Sequence, residues 1–156
     1  VYGRIINTSS EAFIFGSAGQ PNYAAAKAGI VAMTMSAAQV LEKYGVTANV
    51  IMPRARTRMN DSGTLGAMFA KPETGFDLYA PEHVAPLVGY LASPDAARVS
   101  GYVMVIYGKQ ITLVSAPKLE PSFETEDRWT TERVAATLGP WFADHRPITD
   151  GFTVMP

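Results

Sequence analysis

The chain has 156 residues, of which 47% are hydrophobic and 17% charged, and its formal net charge is −1 at pH 7. This composition indicates a globular domain with a core rather than a disordered chain. The absence of a basic surplus argues against nucleic-acid binding, and the absence of cysteine excludes disulfides and thiolate metal sites.

Two apolar segments and one helical pattern make up the first third of the chain. Residues 1–8 predict a short buried strand, because they are rich in apolar and β-branched side chains. Residues 22–44 predict a helix, with Pro21 near its start and Gly45 just past its end. Residues 46–53 predict a second buried strand that ends at a proline.

The middle of the chain predicts a loop, a helix and a third strand. Residues 54–80 are irregular apart from a short helix, and residues 80–94 predict a helix opened by Pro81. Residues 101–108 are almost continuously apolar, which is typical of a strand buried on both faces. Strands that alternate with helices through long crossovers predict an α/β fold with a parallel sheet.

The character of the sequence changes after Gly108. A polar, proline-containing stretch precedes one amphipathic helical pattern, which Thr130 or Thr131 could cap. We predict a domain over residues 1–113 and a C-terminal extension over residues 114–156, which folds back or reaches a neighbouring subunit.

Other general features narrow the class of protein. No apolar run reaches the roughly 18 residues of a membrane span, and no secretory signal pattern opens the chain. His83 and His145 lack metal-ligand spacing, so we expect no metal site. We therefore expect a cytoplasmic protein without a membrane or nucleic-acid partner.

One pair of side chains in the first helix stands out chemically. Tyr23 and Lys27 are four residues apart and share a helix face, among small alanines that allow close approach of a ligand. A phenol is a weak base at neutral pH, and a nearby ammonium favours its ionised form, which makes proton transfer feasible. Ser10, on the loop after the first strand, could stabilise a carbonyl or alkoxide oxygen. The alternative is an ordinary exposed helical pair with a turn-capping serine.

Residues 3–108 resemble the short-chain dehydrogenase/reductase family, in the group of 3-oxoacyl-[acyl-carrier-protein] reductases. The family's Tyr-x-x-x-Lys motif matches Tyr23 to Lys27, and its catalytic serine, thirteen residues before the tyrosine, falls on Ser10 rather than Ser9. The Asn-Thr-Ser-Ser strand end, the Gln-Pro-Asn-Tyr lead-in and the strand that ends at Pro53 strengthen the match.

The resemblance implies roles for these residues. Tyr23 would exchange a proton with the substrate oxygen, Ser10 would orient that oxygen, and Lys27 would bind the nicotinamide ribose and assist ionisation of the tyrosine. Contacts with an NAD or NADP cofactor would come from Tyr23, Lys27, Pro53, Arg54 and Thr57. Arg54 stands where the family has a glycine, and this segment is one residue shorter than the common pattern.

Several side chains near this site have two readings. Arg54, Arg56 and Arg58 either form a solvated loop, which we favour, or contact an anion such as a cofactor phosphate or phosphopantetheine. The loop also carries apolar side chains that could form a substrate lid or simply pack: Met59, Leu65, Met68 and Phe69. Gly29 and the alanines around it could pack a subunit interface, because the family forms homo-oligomers, tetramers or dimers.

The family has a Gly-rich phosphate turn in its N-terminal half. Neither this turn nor the other elements of that half have a counterpart in this sequence. The resemblance therefore implies the C-terminal half of a Rossmann-type doubly wound parallel sheet with a C-terminal helical extension. We expect this chain alone to be inactive and to bind the coenzyme weakly.

These observations predict an NAD(P)-dependent oxidoreductase that reduces a ketone or 3-oxoacyl carbonyl, or oxidises a secondary alcohol. Its partner would be a small carbonyl, alcohol or acyl-thioester substrate. The alternative is a non-catalytic oligomerisation or regulatory module or an inactive fragment; an epimerase or dehydratase of the extended branch of the family is less favoured.

Overall fold

The computed structural model describes residues 2–60, 63–115 and 121–145, without the side chains of residues 63–65. Its strands are β1 (Gly3–Thr8), β2 (Val46–Pro53), β3 (Val103–Tyr107) and β4 (Gln110–Leu113). Its α-helices are α1 (Ala12–Phe15), α2 (Pro21–Leu41), α3 (Gly63–Met68), α4 (Ala85–Ala92) and α5 (Thr131–Ala143). Single 3₁₀ turns occupy Glu42–Tyr44, Arg58–Asn60, Pro81–His83 and Pro94–Ala96.

The four strands form one sheet in the order β1-β2-β3-β4. β1, β2 and β3 are mutually parallel, with Gly3 opposite Val46 and Val50 opposite Val103. The α/β fold class with a parallel sheet is therefore confirmed.

β4 is an addition to the predicted three strands, and it pairs antiparallel with β3. The turn between them has only two central residues, Gly108 and Lys109, and Gly108 has a φ of +52°. Glycine at the first central position of such a turn matches the right-handed twist of a hairpin, so a hairpin signal was present in the sequence.

β1 differs in burial from the predicted buried strand. Its residues from Gly3 to Asn7 are only partly buried, whereas β2 is buried from Thr47 to Met52. Within the described residues β1 pairs on one side only, with β2, and an edge strand keeps part of its surface exposed.

Helix α2 begins at the predicted proline and ends close to the predicted glycine. Gly45 adopts a left-handed conformation with a φ of +72°, and its N–H donates to the Glu42 carbonyl at 2.8 Å, which closes the helix end. A face of α2 that contains Val31, Thr34 and Ala38 is buried.

The membrane expectation needs a correction at this helix. By length and composition alone, the helical segment from Pro21 to Tyr44 could cross a membrane, although its apolar residues do not form one uninterrupted run. One face of this helix contacts β2, and 17% of its most apolar stretch is buried within the described residues.

The two faces of the sheet carry separate hydrophobic clusters. On the α1 and α2 side the buried cluster is Ile14, Val31, Val50, Met52, Val103 and Val105. On the α4 side it is Ile51, Leu87, Leu91, Ala96, Met104 and Ile106. Alternate strand residues therefore face opposite helix layers, as a doubly wound sheet requires.

The C-terminal helix α5 forms as predicted but has no buried residue. The Thr130 hydroxyl accepts a hydrogen bond from the Arg133 N–H at 3.3 Å and caps the helix start. Trp141 stacks on His145 with 3.7 Å between ring centroids and meets Phe123 edge-on at 6.0 Å. The division at residue 113 stays a prediction.

Candidate active site

The carboxyl ends of β1, β2 and β3 meet at one edge of the sheet, because the three strands are parallel. In the pairing register Thr8 lies opposite Ile51, and Pro53 lies opposite Ile106. Ligand sites of open α/β sheets form at this edge. The segments that begin at Ser9 and at Arg54 both start there.

Two of the hydrogen bonds that join α2 to the end of β1 involve Lys27. The buried Ser9 hydroxyl donates to the Lys27 carbonyl at 2.8 Å, and the Lys27 ammonium donates to the Thr8 carbonyl at 3.2 Å. The Ser9 N–H also donates to the Ile51 carbonyl at 2.9 Å. Lys27 is therefore held at the carboxyl end of β1 through both its backbone carbonyl and its side-chain ammonium.

Tyr23 lies beside this amine. The Lys27 Nζ atom is 5.6 Å from the centroid of the Tyr23 ring, and Tyr23 is 42% exposed. The structure thus places the phenol and the ammonium side by side at the ligand edge, one turn apart on α2.

Ser10 lies on the same edge, between β1 and α1. Its hydroxyl oxygen accepts a hydrogen bond from the Ala12 N–H at 3.2 Å, and its carbonyl accepts one from the Phe13 N–H at 3.2 Å. The turn-capping reading of Ser10 therefore describes its local role. Capping uses the hydroxyl oxygen as an acceptor, so the hydroxyl proton can still be donated to a ligand.

Arg54 makes contacts that neither of the two interpretations of the sequence predicted. Its Nε and Nη2 atoms each donate to a carboxylate oxygen of Glu11 at 2.5 Å. Its guanidinium carbon lies 4.7 Å from the centroid of the Tyr107 ring. The hydrogen bond to Glu11 raises the pKa of Arg54 above its ordinary value. The anion that Arg54 contacts is thus a carboxylate of this chain.

Glu11 is the residue that sequence reasoning missed. It lies 43 positions before Arg54, so no local periodicity relates the two. The available signal was topological, because each residue closely follows the end of one of two neighbouring parallel strands. A carboxylate and a guanidinium at such positions can meet across the sheet edge.

Pro53 and Thr57 lie on the same stretch of chain. Pro53 is the last residue of β2 and is partly buried. Thr57 is exposed, and its N–H and hydroxyl both donate to the Asn60 side-chain oxygen, at 2.5 and 3.2 Å. The Asn60 side chain also donates to the Ala55 carbonyl at 3.0 Å, which closes this turn at the surface. Contacts of Pro53, Arg54 and Thr57 with a coenzyme stay predictions.

Arg56 fastens the loop that follows β2. Its guanidinium forms an ion pair with Asp77 and donates to the Phe69 carbonyl at 3.1 Å. The Arg56 hydrogen bond holds the pKa of Asp77 below its ordinary value. The Tyr79 ring lies 4.7 Å from Phe69 and 6.2 Å from Tyr107, measured between centroids. This half of the loop therefore packs against the end of β3.

The apolar residues of the proposed lid divide into two groups. Phe69 packs on Tyr79, whereas Met59 is 94% exposed and Met68 is 62% exposed. The Leu65 side chain lies outside the described residues. Arg58, in the adjacent 3₁₀ turn, is exposed.

A cavity of about 330 Å³ lies on the α4 side of the sheet, between α4 and the β3–β4 turn. His83, Tyr90 and Lys109 are among its lining residues, and Ser10, Tyr23 and Lys27 are not. It is therefore separate from the Tyr23 pair. Within residues 2–60, 63–115 and 121–145, no three acidic or histidine side chains cluster as metal ligands.

One side chain at the strand ends, Lys27, has donors that the ribose hydroxyls of a dinucleotide could accept. Lys27 is partly exposed, and its ammonium donates one hydrogen bond to the Thr8 carbonyl. An ammonium has three N–H donors in all. Ribose hydroxyls can accept the others. The part of the chain that the structure describes has no Gly-rich turn leading from a strand into a long helix, which is the usual pyrophosphate site.

Comparisons with known proteins agree with this fold and indicate a family. The family described as short chain dehydrogenase matches residues 1–64. A hydroxyacyl-CoA dehydrogenase of Mycobacterium tuberculosis, ChsB1, is 50% identical over 148 residues, covering 94% of this chain and 46% of the relative. The 3-oxoacyl-[acyl-carrier-protein] reductase FabG of Vibrio cholerae is 38% identical over 110 residues, covering 68% of this chain and 45% of the relative.

Solved structures give the same result. A short chain dehydrogenase from Mycobacterium avium has a TM-score of 0.75 and 37% identity, and the match covers 93% of this chain and 45% of that one. The peroxisomal multifunctional enzyme type 2 of Drosophila melanogaster has a TM-score of 0.61 and 28% identity, over 90% of this chain and 24% of that one.

The mostly parallel sheet with helices on both faces thus places the chain among the Rossmann-type α/β folds. The chain belongs to the short-chain dehydrogenase/reductase family, as the resemblance predicted. It spans about half the length of ChsB1 and FabG, the two curated relatives described above.

Proposed function

We propose that the protein containing this chain is an NAD(P)-dependent oxidoreductase that interconverts a 3-hydroxyacyl thioester and a 3-oxoacyl thioester. The observation that carries the proposal is the Lys27 ammonium, bound to the Thr8 carbonyl at 3.2 Å and 5.6 Å from the centroid of the Tyr23 ring. The acyl-thioester substrate class is supported by the names of ChsB1 and FabG.

Each side chain has a defined task in this reaction. When bound, the nicotinamide coenzyme supplies the hydride to the carbonyl carbon or accepts it from the alcohol carbon. In reduction Tyr23 donates its phenolic proton to the carbonyl oxygen, and in oxidation the phenolate accepts the hydroxyl proton. The Lys27 ammonium would hold the ribose hydroxyls of the coenzyme, and Ser10 would donate a hydrogen bond to the substrate oxygen.

The test uses the complete protein as its gene encodes it. With a short 3-oxoacyl-CoA and either NADH or NADPH, we expect Tyr23→Phe to lower kcat by about 10²- to 10⁴-fold, because it removes the proton donor. Tyr44→Phe is a matched control on the same helical segment. Lys43 lies 5.1 Å from the Tyr44 ring centroid, at the opposite end from the ligand edge, so this variant should keep full activity.

Unchanged turnover in Tyr23→Phe would show that the proposed proton donor is wrong. Absence of turnover in the unsubstituted protein, together with stable self-association in size-exclusion chromatography, would favour the non-catalytic oligomerisation module. The cytoplasmic location and the homo-oligomeric state stay predictions, and the same chromatography with a fractionated cell lysate checks both.

A further inference from the structure

Residues next to three strand ends form one contact at the ligand edge. Glu11 follows β1, Arg54 follows β2 directly, and Tyr107 is the last residue of β3. Arg54 joins the other two, with its guanidinium on the Glu11 carboxylate and over the Tyr107 ring. We name Glu11, Arg54 and Tyr107 the strand-end clamp.

Several contacts make the clamp a rigid arrangement. Both carboxylate oxygens of Glu11 accept a hydrogen bond from Arg54, which is the bidentate geometry that fixes the orientation of the two planes. The Arg54 N–H donates to the Ile106 carbonyl at 2.9 Å, so its backbone is part of the sheet. The Glu11 side chain is only 17% exposed and the Arg54 side chain 39% exposed.

The position of Glu11 in the chain connects the clamp to the site. Glu11 directly follows Ser10, and the residues after it fold back on Ser10, through the Ala12 N–H to its hydroxyl and the Phe13 N–H to its carbonyl. On the other side, the Ser9 hydroxyl is fixed to α2. The Ser10 backbone is therefore held between one anchor on α2 and another on β2 and β3.

We propose that the strand-end clamp is a positioning device for Ser10, and that Glu11 and Arg54 are positioning residues that set the direction of its hydroxyl. The predicted effect on kcat rests on the proposed function, because it requires the oxidoreductase activity. Releasing the Glu11 carboxylate would remove the side-chain anchor of the Ser10–Phe13 turn, while the buried Ile14 keeps α1 in the core and α2, with Tyr23 and Lys27, stays in place.

The kinetic test compares Glu11→Gln and Arg54→Lys with the unsubstituted complete protein. Glutamine keeps the shape of the side chain without its charge, and lysine keeps the charge without the planar fork. We expect kcat to fall by about tenfold or more in each, with KM for the acyl substrate nearly unchanged, because the lost interaction acts in the transition state. In a Ser10→Ala background, Glu11→Gln should have no further effect on kcat.

A structural readout tests the clamp independently of activity. Hydrogen exchange at the Ala12 and Phe13 amides should be faster in Glu11→Gln, while exchange along β2 stays the same. The matched control is Asp127→Asn, which removes an exposed carboxylate–arginine pair with Arg133 in the C-terminal segment and should change neither readout.

The outcomes separate this inference from the proposed function. Loss of activity in Tyr23→Phe, combined with full activity in Glu11→Gln or with additive effects of Glu11→Gln and Ser10→Ala, would overturn the clamp alone. Unchanged exchange at Ala12 and Phe13 would overturn it even if the protein has no reductase activity.

Discussion

At the scale of single residues, two adjacent serines at the end of β1 have different partners. Ser9 is 4% exposed, and its hydroxyl bonds the carbonyl of Lys27 inside α2. Ser10 is partly exposed and caps the short turn that starts α1. The first serine therefore connects two elements, and the second caps a local turn at the ligand edge.

This difference predicts different effects of the two alanine substitutions. Ser9→Ala should lower the free energy of unfolding by about 1 kcal/mol or somewhat more, because the substitution removes the buried hydroxyl and its hydrogen bond. Ser10→Ala should chiefly lower kcat. Urea unfolding and steady-state kinetics of both variants of the complete protein check this. A Ser10→Ala protein with full kcat would remove Ser10 from the proposed mechanism.

The residue scale also shows what a sequence can reveal about the site. Tyr23 and Lys27 are one helical turn apart, so helix periodicity alone predicts that they share a face. Glu11 and Arg54 come together only because β1 and β2 are neighbours in the sheet. Their contact depends on the order of the strands in the sheet, which local sequence patterns do not predict.

At the scale of elements, the β3–β4 hairpin is the part of the sheet that the sequence reading missed. β4 is short, and Ile111 and Leu113 in it are more than half exposed, so its apolar pattern is weak. The hairpin depends on Gly108, where a Cβ atom would clash with Leu78 Cδ1 and lie 3.1 Å from the Leu78 carbonyl oxygen. The glycine therefore serves both the turn and the close approach of the loop.

Replacing this glycine should destabilise the hairpin. We expect Gly108→Ala to lower the free energy of unfolding by about 1–3 kcal/mol, because alanine is strained at positive φ and its Cβ would displace Leu78. Gly89→Ala is the matched control, since nothing lies within 4 Å of a Cβ at that position of α4. That variant should be more stable by about 0.5–1 kcal/mol. Equal unfolding midpoints for the two variants would contradict this account.

At the scale of the whole molecule, stability comes from two hydrophobic clusters on opposite faces of one sheet. Alternate residues of β2 serve both, because Val50 and Met52 face α2 whereas Ile51 faces α4. β2 is thus the strand on which both helix layers depend, and its end carries Arg54. The rigidity of the candidate site follows from the burial of this strand.

Two methionine substitutions compare the core with the loop. Met52 is 1% exposed, and we expect Met52→Ala to lower the free energy of unfolding by about 2–5 kcal/mol through the cavity it leaves. Met59 is 94% exposed, and Met59→Ala should change the free energy of unfolding by no more than about 0.5 kcal/mol. Chemical denaturation of the complete protein measures both. A comparable loss in Met59→Ala would show that the loop is covered in solution.

The amino-acid sequence by itself determined the features that are local in the chain. Apolar strand segments that alternate with helical patterns predicted the parallel sheet. Pro21 and Gly45 predicted the limits of α2. A spacing of four residues predicted that Tyr23 and Lys27 share a helix face. Each depends on neighbours within a few residues, where backbone geometry fixes which side chains share a face.

Only the tertiary structure decided the features that depend on strand order. Pairing β1 with β2 brought Glu11 to Arg54, and the docking of α2 gave Ser9 a partner that Ser10 lacks. Such contacts join residues far apart in the chain, and their geometry exists only after the strands have paired and the helices have packed on them.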